Sequence, residues 1–259
     1  MIRDTRNINT DDNKFNFRMG SEWRHQFVKI VNENQKPGMR VLELGTYDGQ
    51  SSVRMIPLIE KNNGHYIAVD WFYGTKNPGW EKLNSNPHYY DPNQSDDTYT
   101  RFMHNIKAAV DNPNWQEIVT VLRGRSDEVY HQVEDNSLDI LIIDGDHRYS
   151  AVIKDIELYL PKLKNGGVIA FDDCEMLGSA CNGIINHWPK HASDEAAEDD
   201  GASGRFGRLH WGVVKAVCEV FGDWPHMNID GTVFGNAVAW TKIDDKLMTN
   251  KRYREFRRL

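Results

Sequence analysis

Residues 41–49 read VLELGTYDG, an apolar run that passes directly into a turn bounded by Gly45 and Gly49. The apolar run predicts a strand, and residues 51–61 after the turn predict a helix. In an open parallel sheet, ligands bind beyond the carboxyl ends of such strands. The segment therefore predicts the first βα unit of an α/β domain, with a ligand site at its turn.

The same alternation continues along the chain. It predicts strands at 40–44, 65–69, 118–122, 138–143 and 168–171, helices at 51–61, 151–163 and 211–221, and a last antiparallel hairpin that turns at 230–231 and ends at 237–240. We expect Pro57 to bend or restart the first helix, and the glycines of residues 164–167 (KNGG) to end the second. This order is typical of a mostly parallel sheet.

The length of 259 residues and a hydrophobic content of 39% are consistent with a single domain spanning 1–259. We expect a helical extension at 1–38, insertions at the mouth of the cleft at 73–100 and 190–208, and a basic tail at 244–259.

Charge and composition exclude several classes of function. The net charge of −7 disfavours a nucleic-acid partner, which normally requires a basic face. Three cysteines without a CxxC pattern indicate free thiols in a reducing compartment. The N-terminus lacks an apolar stretch of signal-peptide length, and no run approaches a membrane span, so we expect a cytoplasmic protein without a membrane partner.

The turn after the first strand favours a nucleotide-like cofactor. It is not a G-x-G-x-x-G sequence, which disfavours a dinucleotide pyrophosphate. Asp70 ends the next predicted strand, where a carboxylate can accept hydrogen bonds from both hydroxyls of a ribose. The alternative is that the glycines serve only the geometry of the chain.

A second set of acidic residues indicates a cation site. Asp144 ends the apolar run 140–143, and Asp172 and Asp173 end the run 168–171. If the two strands are neighbours, three carboxylates converge, and Mg²⁺ or a similar ion removes their mutual repulsion. Alternatively, these aspartates cap a helix or pair with basic side chains.

Residues 43–49 resemble the first motif, E-x-G-x-x-x-G, of class I S-adenosylmethionine-dependent methyltransferases. The resemblance implies a Rossmann-like, doubly wound, mostly parallel seven-stranded sheet with an antiparallel edge hairpin. It also implies S-adenosylmethionine as cofactor, bound by Glu43, Gly45, Thr46, Tyr47, Gly49, Ser51, Asp70, Trp71, Ser126 and Asp144. Packing in the core is an equal alternative to adenine stacking for Trp71.

The sequence IDGDH at 143–147 and the pair Asp172-Asp173 resemble the metal-dependent O-methyltransferases, in particular the sugar O-methyltransferase branch of macrocin O-methyltransferase type. The resemblance implies that Asp144, Asp172 and Asp173 are the metal ligands. Asp146 is then the first candidate for the general base and His147 the second, since an imidazole titrates near neutral pH. A histidine that only bonds to backbone is the alternative for His147.

The predicted function is metal-dependent methylation of a hydroxyl on a small molecule, such as a sugar or another vicinal diol. The alternatives are a methyltransferase that needs no metal and a cofactor-binding module without catalysis. From the resemblance we also expect a homo-oligomer. Four aromatic residues flank the second insertion and are candidates for the substrate-pocket rim or for packing: His187, Trp188, His210 and Trp211.

Overall fold

The computed structural model describes residues 14–15, 25–72, 97–174, 210–221, 227–228 and 238–241. The chain divides into two compact units, Met1–Val129 and Tyr130–Leu259. The predicted second insertion, the basic tail, and residues 73–96 of the first insertion lie outside the described residues. Within the described part, no helix is long and apolar enough to cross a bilayer.

Unit 1 contains three parallel strands in the order β3-β2-β1. Its elements are α1 (His25–Glu33), β1 (Arg40–Leu44), α2 (Ser52–Lys61), β2 (His65–Asp70), α3 (Asp97–Ala109), β3 (Val119–Arg123) and α4 (Ser126–Val129). Leu44 pairs with Val69, and Asp70 pairs with Arg123, so the strands end at one edge. The turns after β1 and β2 therefore begin side by side.

Strands β1 and β2 of unit 1 are largely buried, as is usual for parallel strands covered by helices, whereas β3 is mostly half-buried. Val41 and Leu42 of β1 are fully buried. Helix α1 packs on α2, and α2 packs on α3. The side chains that fill this core include Phe27, Ile30, Met39, Ile56, Ile59, Phe72 and Phe102.

Unit 2 contains four strands in the order β4-β5-β7-β6. Its elements are β4 (Leu138–Ile143), α5 (Tyr149–Tyr159), β5 (Leu163–Phe171), α6 (Trp211–Phe221), β6 (Met227–Asn228) and β7 (Val238–Thr241). Strands β4 and β5 are parallel, with Ile143 opposite Phe171, whereas β7 is antiparallel to β5 and β6. The residues that follow β4 and β5 consequently leave the sheet next to each other.

The core of unit 2 forms around β4, whose residues are all buried. Helix α5 packs against α6. The rings of Phe171 and Phe221 meet edge to face with centroids 5.5 Å apart, which connects β5 to α6.

Much of the predicted order of elements is confirmed, including the α/β alternation, the parallel strands and the bounds 40–44, 138–143 and 211–221. The antiparallel edge hairpin stays a prediction. The turn predicted at 230–231 lies outside the described residues.

The prediction for residues 151–167 is wrong at its end. Helix α5 stops at Tyr159, a 3₁₀ turn follows at Leu160–Lys162, and Leu163 already belongs to β5. The KNGG glycines lie inside β5 at a register shift, where Leu138 pairs with Leu163 but Ile140 pairs with Val168. Gly166 has a φ of 79°, so its left-handed backbone bulges the strand instead of ending the helix.

Two further expectations are corrected. Residues 97–100, assigned to the first insertion, begin α3, whose buried Phe102, Ile106 and Ala109 recur at helical spacing. Helix α2 continues through Pro57 without restarting, and it packs against α1 and α3; the expected bend stays a prediction.

Candidate functional site

The turn after β1 is held in a compact conformation by its backbone. Gly45 has a φ of 82° and donates to the carbonyl of Val69 at 2.9 Å; Gly49 has a φ of 86° and donates to the carbonyl of Thr46 at 2.8 Å. A Cβ on Gly49 would lie 3.2 Å from the Phe102 ring, so both the backbone and the packing require glycine.

Glu43, the second-to-last residue of β1, is fully buried in a network of hydroxyl groups. Its carboxylate accepts hydrogen bonds from Ser51, from Ser52 at 3.1 Å and from the Tyr66 phenol. Burial and then the nearby Glu43 charge raise the pKa of Tyr66 well above its usual value, so the phenol stays protonated and donates. The network fixes the Glu43 side chain below the glycine turn.

Asp70 joins the turn after β1 to the end of β2. Its Oδ2 accepts a hydrogen bond from the Tyr47 backbone N–H at 2.8 Å, and its Oδ1 accepts one from the Phe72 N–H at 2.7 Å. Tyr47 and Phe72 both have positive φ, at 48° and 60°.

The other residues predicted to contact a cofactor in unit 1 fall into two environments. Thr46 is 2% exposed, and its Oγ1 makes no hydrogen bond within the described residues. Trp71, after β2, and Ser126, at the start of α4, are half-buried. A buried hydroxyl without a hydrogen bond is unusual and is consistent with a polar ligand group at this turn.

Sequence reasoning missed two residues that support the turn, Tyr66 and Asn105. Asn105 of α3 is fully buried, and its Nδ2 donates to the Asp48 carbonyl at 2.8 Å. The sequence contained a sign of each role. Tyr66 is a phenol in a buried strand, and Asn105 is an amide among the apolar positions of α3. Buried polar groups of this kind require partners.

Three carboxylates converge in unit 2, as the resemblance implied. Asp144, Asp172 and Asp173 each offer an oxygen, and the three oxygens lie within 4.8 Å of one another. The cause is the pairing of Ile143 with Phe171, which the Asp172 N–H extends by donating to the Ile143 carbonyl at 3.0 Å. Asp173 has a positive φ of 51°, an uncommon conformation outside glycine.

Two histidines border this carboxylate cluster. His147 Nε2 lies 3.7 Å from Asp144 Oδ1 and 3.6 Å from Asp173 Oδ2. His210 Nδ1 lies 3.7 Å from Asp173 Oδ1, and the two imidazole rings are 4.7 Å apart. His210 directly precedes α6, where its carbonyl accepts from Val214. Sequence reasoning considered His210 only as a pocket-rim or packing residue.

Asp146, the first candidate for the general base, has a different environment. Its carboxylate accepts hydrogen bonds from the backbone N–H of Arg148 at 3.0 Å, from its Nε at 2.9 Å, and from its Nη2. The Arg148 guanidinium therefore engages both oxygens of the Asp146 carboxylate. A catalytic role for Asp146 stays a prediction.

Comparison with known proteins gives these features a family. The family model described as a methyltransferase domain matches residues 42–174, just over half of the chain. This range runs from β1 through β5 and contains the turn, Asp70 and the three carboxylates.

Two curated relatives are uncharacterized proteins. One from Acanthamoeba polyphaga mimivirus is 29% identical over 154 residues, 58% of each chain. One from Sinorhizobium fredii (strain NBRC 101917 / NGR234) is 26% identical over 175 residues, which cover 67% of this chain and 17% of that protein. The chain thus spans 58% and 17% of the lengths of these relatives.

Three solved structures share the fold. The O-methyltransferase TomG from Streptomyces achromogenes has a TM-score of 0.52 and 13% identity, covering 85% of this chain and 79% of TomG. NovP, an O-methyltransferase, has a TM-score of 0.51 and 18% identity, covering 85% and 78%. The Podospora anserina methyltransferase PaMTH1 has a TM-score of 0.51 and 12% identity, covering 88% and 81%. From the family match together with this fold, we conclude that the chain belongs to the methyltransferase-domain family.

Proposed function

We propose that this chain transfers a methyl group from S-adenosylmethionine to a hydroxyl oxygen of a small molecule, with a divalent cation held by Asp144, Asp172 and Asp173. The observation that carries the proposal is the convergence of these three carboxylates at the ends of β4 and β5. A methyltransferase that acts without a cation has no evident use for such a cluster.

Unit 1 has the groups that the cofactor requires. Asp70, which the Tyr47 and Phe72 N–H groups hold beside the glycine turn, is a carboxylate that can accept from ribose hydroxyls. Gly45 and Gly49 keep the turn free of side chains close to the ligand. The Thr46 hydroxyl supplies a further polar contact. When bound, the cofactor provides a methyl group on a positively charged sulfur.

The carboxylate cluster suits a hard cation such as Mg²⁺. Two or three carboxylates completed by water match the preference of Mg²⁺ for six oxygen ligands. When bound, such an ion lowers the pKa of an alcohol and orients its oxygen. Asp172, which is 4% exposed, and Asp144 are fixed by the ends of paired strands, so the cluster is held in place before any ligand arrives.

We assign the acceptance of the hydroxyl proton to His147. Its Nε2 faces the oxygens of Asp144 and Asp173, whereas the Asp146 carboxylate is engaged by Arg148. In the reaction, the bond from oxygen to the methyl carbon forms as the bond from sulfur to that carbon breaks. The proton passes to the imidazole, and S-adenosylhomocysteine leaves. Holding the reactants in line supplies much of the rate.

The choice of oxygen as the methylated atom has support from the neighbours by fold, since TomG and NovP are both named O-methyltransferases. A sugar or another vicinal diol is the proposed acceptor, as the resemblance to the sugar O-methyltransferase branch implies. Two adjacent hydroxyls can chelate one cation, which fixes which oxygen reacts.

The test is calorimetric titration of the full chain with S-adenosylhomocysteine and, separately, with Mg²⁺. Wild type, Asp172→Asn and the control Asp111→Asn are compared; Asp111 is exposed and lies in unit 1. We expect all three to bind S-adenosylhomocysteine. Mg²⁺ should bind wild type and the control but not Asp172→Asn, because a neutral amide replaces a charged ligand.

Other results lead to other functions. Cofactor binding with no Mg²⁺ binding to wild type would indicate a methyltransferase that needs no metal. Cofactor and Mg²⁺ binding without turnover on any hydroxylated acceptor would indicate a binding module. No binding of S-adenosylhomocysteine would contradict the proposal as a whole.

A further inference from the structure

We propose that His147, Asp173 and His210 form a second metal position that takes a divalent transition-metal ion such as Zn²⁺ or Co²⁺. This position is separate in its chemistry from the cation site of Asp144, Asp172 and Asp173, with which it shares only Asp173. Metal binding there is independent of the proposed function. Its consequence, inhibition of proton transfer, rests on the role proposed for His147.

The spacing of the three ligands suits one small ion. One ligand atom from each residue lies within 4.8 Å of the others. Asp173 is 3.6 Å from His147 Nε2 and 3.7 Å from His210 Nδ1. Two ligands at about 2.1 Å from a tetrahedral ion are about 3.4 Å apart. The two separations from Asp173, one through Oδ2 to His147 and one through Oδ1 to His210, are within a few tenths of an ångström of that value.

Hydrogen bonding between these groups does not account for the spacing. A bond from a ring N–H to a carboxylate oxygen is about 2.7–3.2 Å long. Both separations from Asp173 exceed that range. The imidazoles and the carboxylate thus face one another across a gap, as ligands of a common ion do.

The donor set indicates which ions would bind. Two imidazole nitrogens and one carboxylate oxygen suit Zn²⁺, Co²⁺, Ni²⁺ and related ions, whereas Mg²⁺ prefers oxygen alone. Three separate segments supply the ligands: the loop after β4, the residues after β5, and the residue before α6. The side chains of His147, Asp173 and His210 are 21%, 22% and 17% exposed, so an ion in solution can reach them.

Occupation of this position has a consequence for the reaction. A metal ion on His147 Nε2 uses the lone pair that would otherwise accept the hydroxyl proton. A transition-metal ion should therefore inhibit methyl transfer at concentrations that fill this position, even when Mg²⁺ is in excess.

Metal-free full-length protein titrated with Co²⁺ tests the proposal, with visible absorption reporting nitrogen coordination. Wild type, His210→Ala, Asp172→Asn and the control His131→Ala are compared; His131 is exposed in the same unit. We expect His210→Ala to lower Co²⁺ affinity by at least the roughly 10-fold to 100-fold that loss of an outer-shell partner costs. Mg²⁺ affinity should be unchanged in His210→Ala. In Asp172→Asn, Mg²⁺ affinity should fall and Co²⁺ affinity should be unchanged.

A second measurement does not depend on how the variants fold. In wild type labelled with ¹⁵N-histidine, Zn²⁺ should shift the ring nitrogens of two of the ten histidines. Unshifted histidine signals, or a Co²⁺ spectrum identical in wild type and His210→Ala, would overturn the proposal. If His210→Ala and Asp172→Asn each lost Co²⁺ and Mg²⁺ affinity to the same extent, the two metal positions would not be separate. If Co²⁺ bound but Mg²⁺ did not, the result would contradict the proposed function but not the second metal position.

Discussion

Three carboxylate side chains show how one chemical group acquires different properties from its surroundings. Glu43 is buried among hydroxyl donors, whereas Asp146 is held by a guanidinium two residues further along the chain. Asp172 is buried like Glu43 but lies beside two other carboxylates. All three were candidates from the sequence. Their partners distinguish a buried positioning group, an ion-paired carboxylate and a proposed cation ligand.

His65 provides a test at the residue scale. Its Nδ1 lies 3.0 Å from the Glu117 carbonyl, which can only accept, so Nδ1 carries the hydrogen; Nε2 lies 2.8 Å from the Thr120 hydroxyl. Burial lowers the pKa of His65 despite the carbonyl, and the Arg40 charge lowers it further. The folded state therefore binds this proton less readily than the unfolded state.

The sign of the pH dependence follows from the lowered pKa. The contribution of His65 to stability is complete above the unfolded pKa of about 6.5 and is lost as the pH falls through the folded pKa. We expect the unfolding free energy of wild type to fall more steeply than that of His65→Gln between about pH 7.5 and about pH 5. Urea denaturation at several pH values measures both, and parallel curves would rule out this role.

At the scale of elements, strand register builds the site. Pairing of Ile143 with Phe171 brings Asp144 and Asp172 to the same edge, and pairing of Leu44 with Val69 brings the glycine turn beside Asp70. A shift of one residue in either pair would turn the side chains to the opposite face. The cluster of carboxylates thus depends on the strands that precede it.

Two glycines allow backbone strain and packing to be separated. Gly38 and Gly49 both have positive φ, but a Cβ on Gly38 would meet nothing within 4 Å, whereas one on Gly49 would lie 3.2 Å from Phe102. We expect Gly38→Ala to lower the unfolding free energy by about 1–2 kcal/mol through its left-handed backbone alone. Gly49→Ala should cost more and should also weaken S-adenosylhomocysteine binding.

Denaturation in urea gives the two free energies, and calorimetry gives the affinity. Equal destabilisation by the two substitutions would mean that the Phe102 ring moves away from the new Cβ without lowering the unfolding free energy. Binding of S-adenosylhomocysteine by Gly49→Ala with wild-type affinity would show that the turn does not need its close backbone approach.

For the whole molecule, the features assigned to the cofactor lie in Met1–Val129 except for Asp144, and those assigned to the cation lie in Tyr130–Leu259. Each unit builds its own set from its own strands. Variants in one unit should therefore weaken binding of one ligand and leave binding of the other intact. We expect Asp70→Ala to weaken cofactor binding only and Asp172→Asn to weaken cation binding only.

Ligand-linked stability tests this division. A ligand that binds only the folded state, at about 100 times its Kd, adds about 2.7 kcal/mol to the unfolding free energy. We expect S-adenosylhomocysteine to raise the melting temperature of wild type and Asp172→Asn by similar amounts, and that of Asp70→Ala much less. Thermal unfolding followed by circular dichroism measures the shifts. An unchanged shift in Asp70→Ala would remove Asp70 from the cofactor site.

Sequence periodicity by itself predicted the order of strands and helices well. The bounds of β1, β4 and α6 needed only local apolar patterning, and the carboxylates at strand ends were visible as residues that interrupt apolar runs. The incorrect predictions came from local sequence patterns that are compatible with two structures. The KNGG glycines serve a bulge as readily as a helix end, and only the pairing with β4 selects the bulge.

Tertiary structure alone decided which side chains meet. His210 is 63 residues from His147 in the sequence, and no spacing rule connects them, yet their rings lie 4.7 Å apart. The same holds for Asn105 and the turn it supports. The physical reason is that periodicity reports which face of an element is buried, whereas partners are set by how faces from distant segments pack.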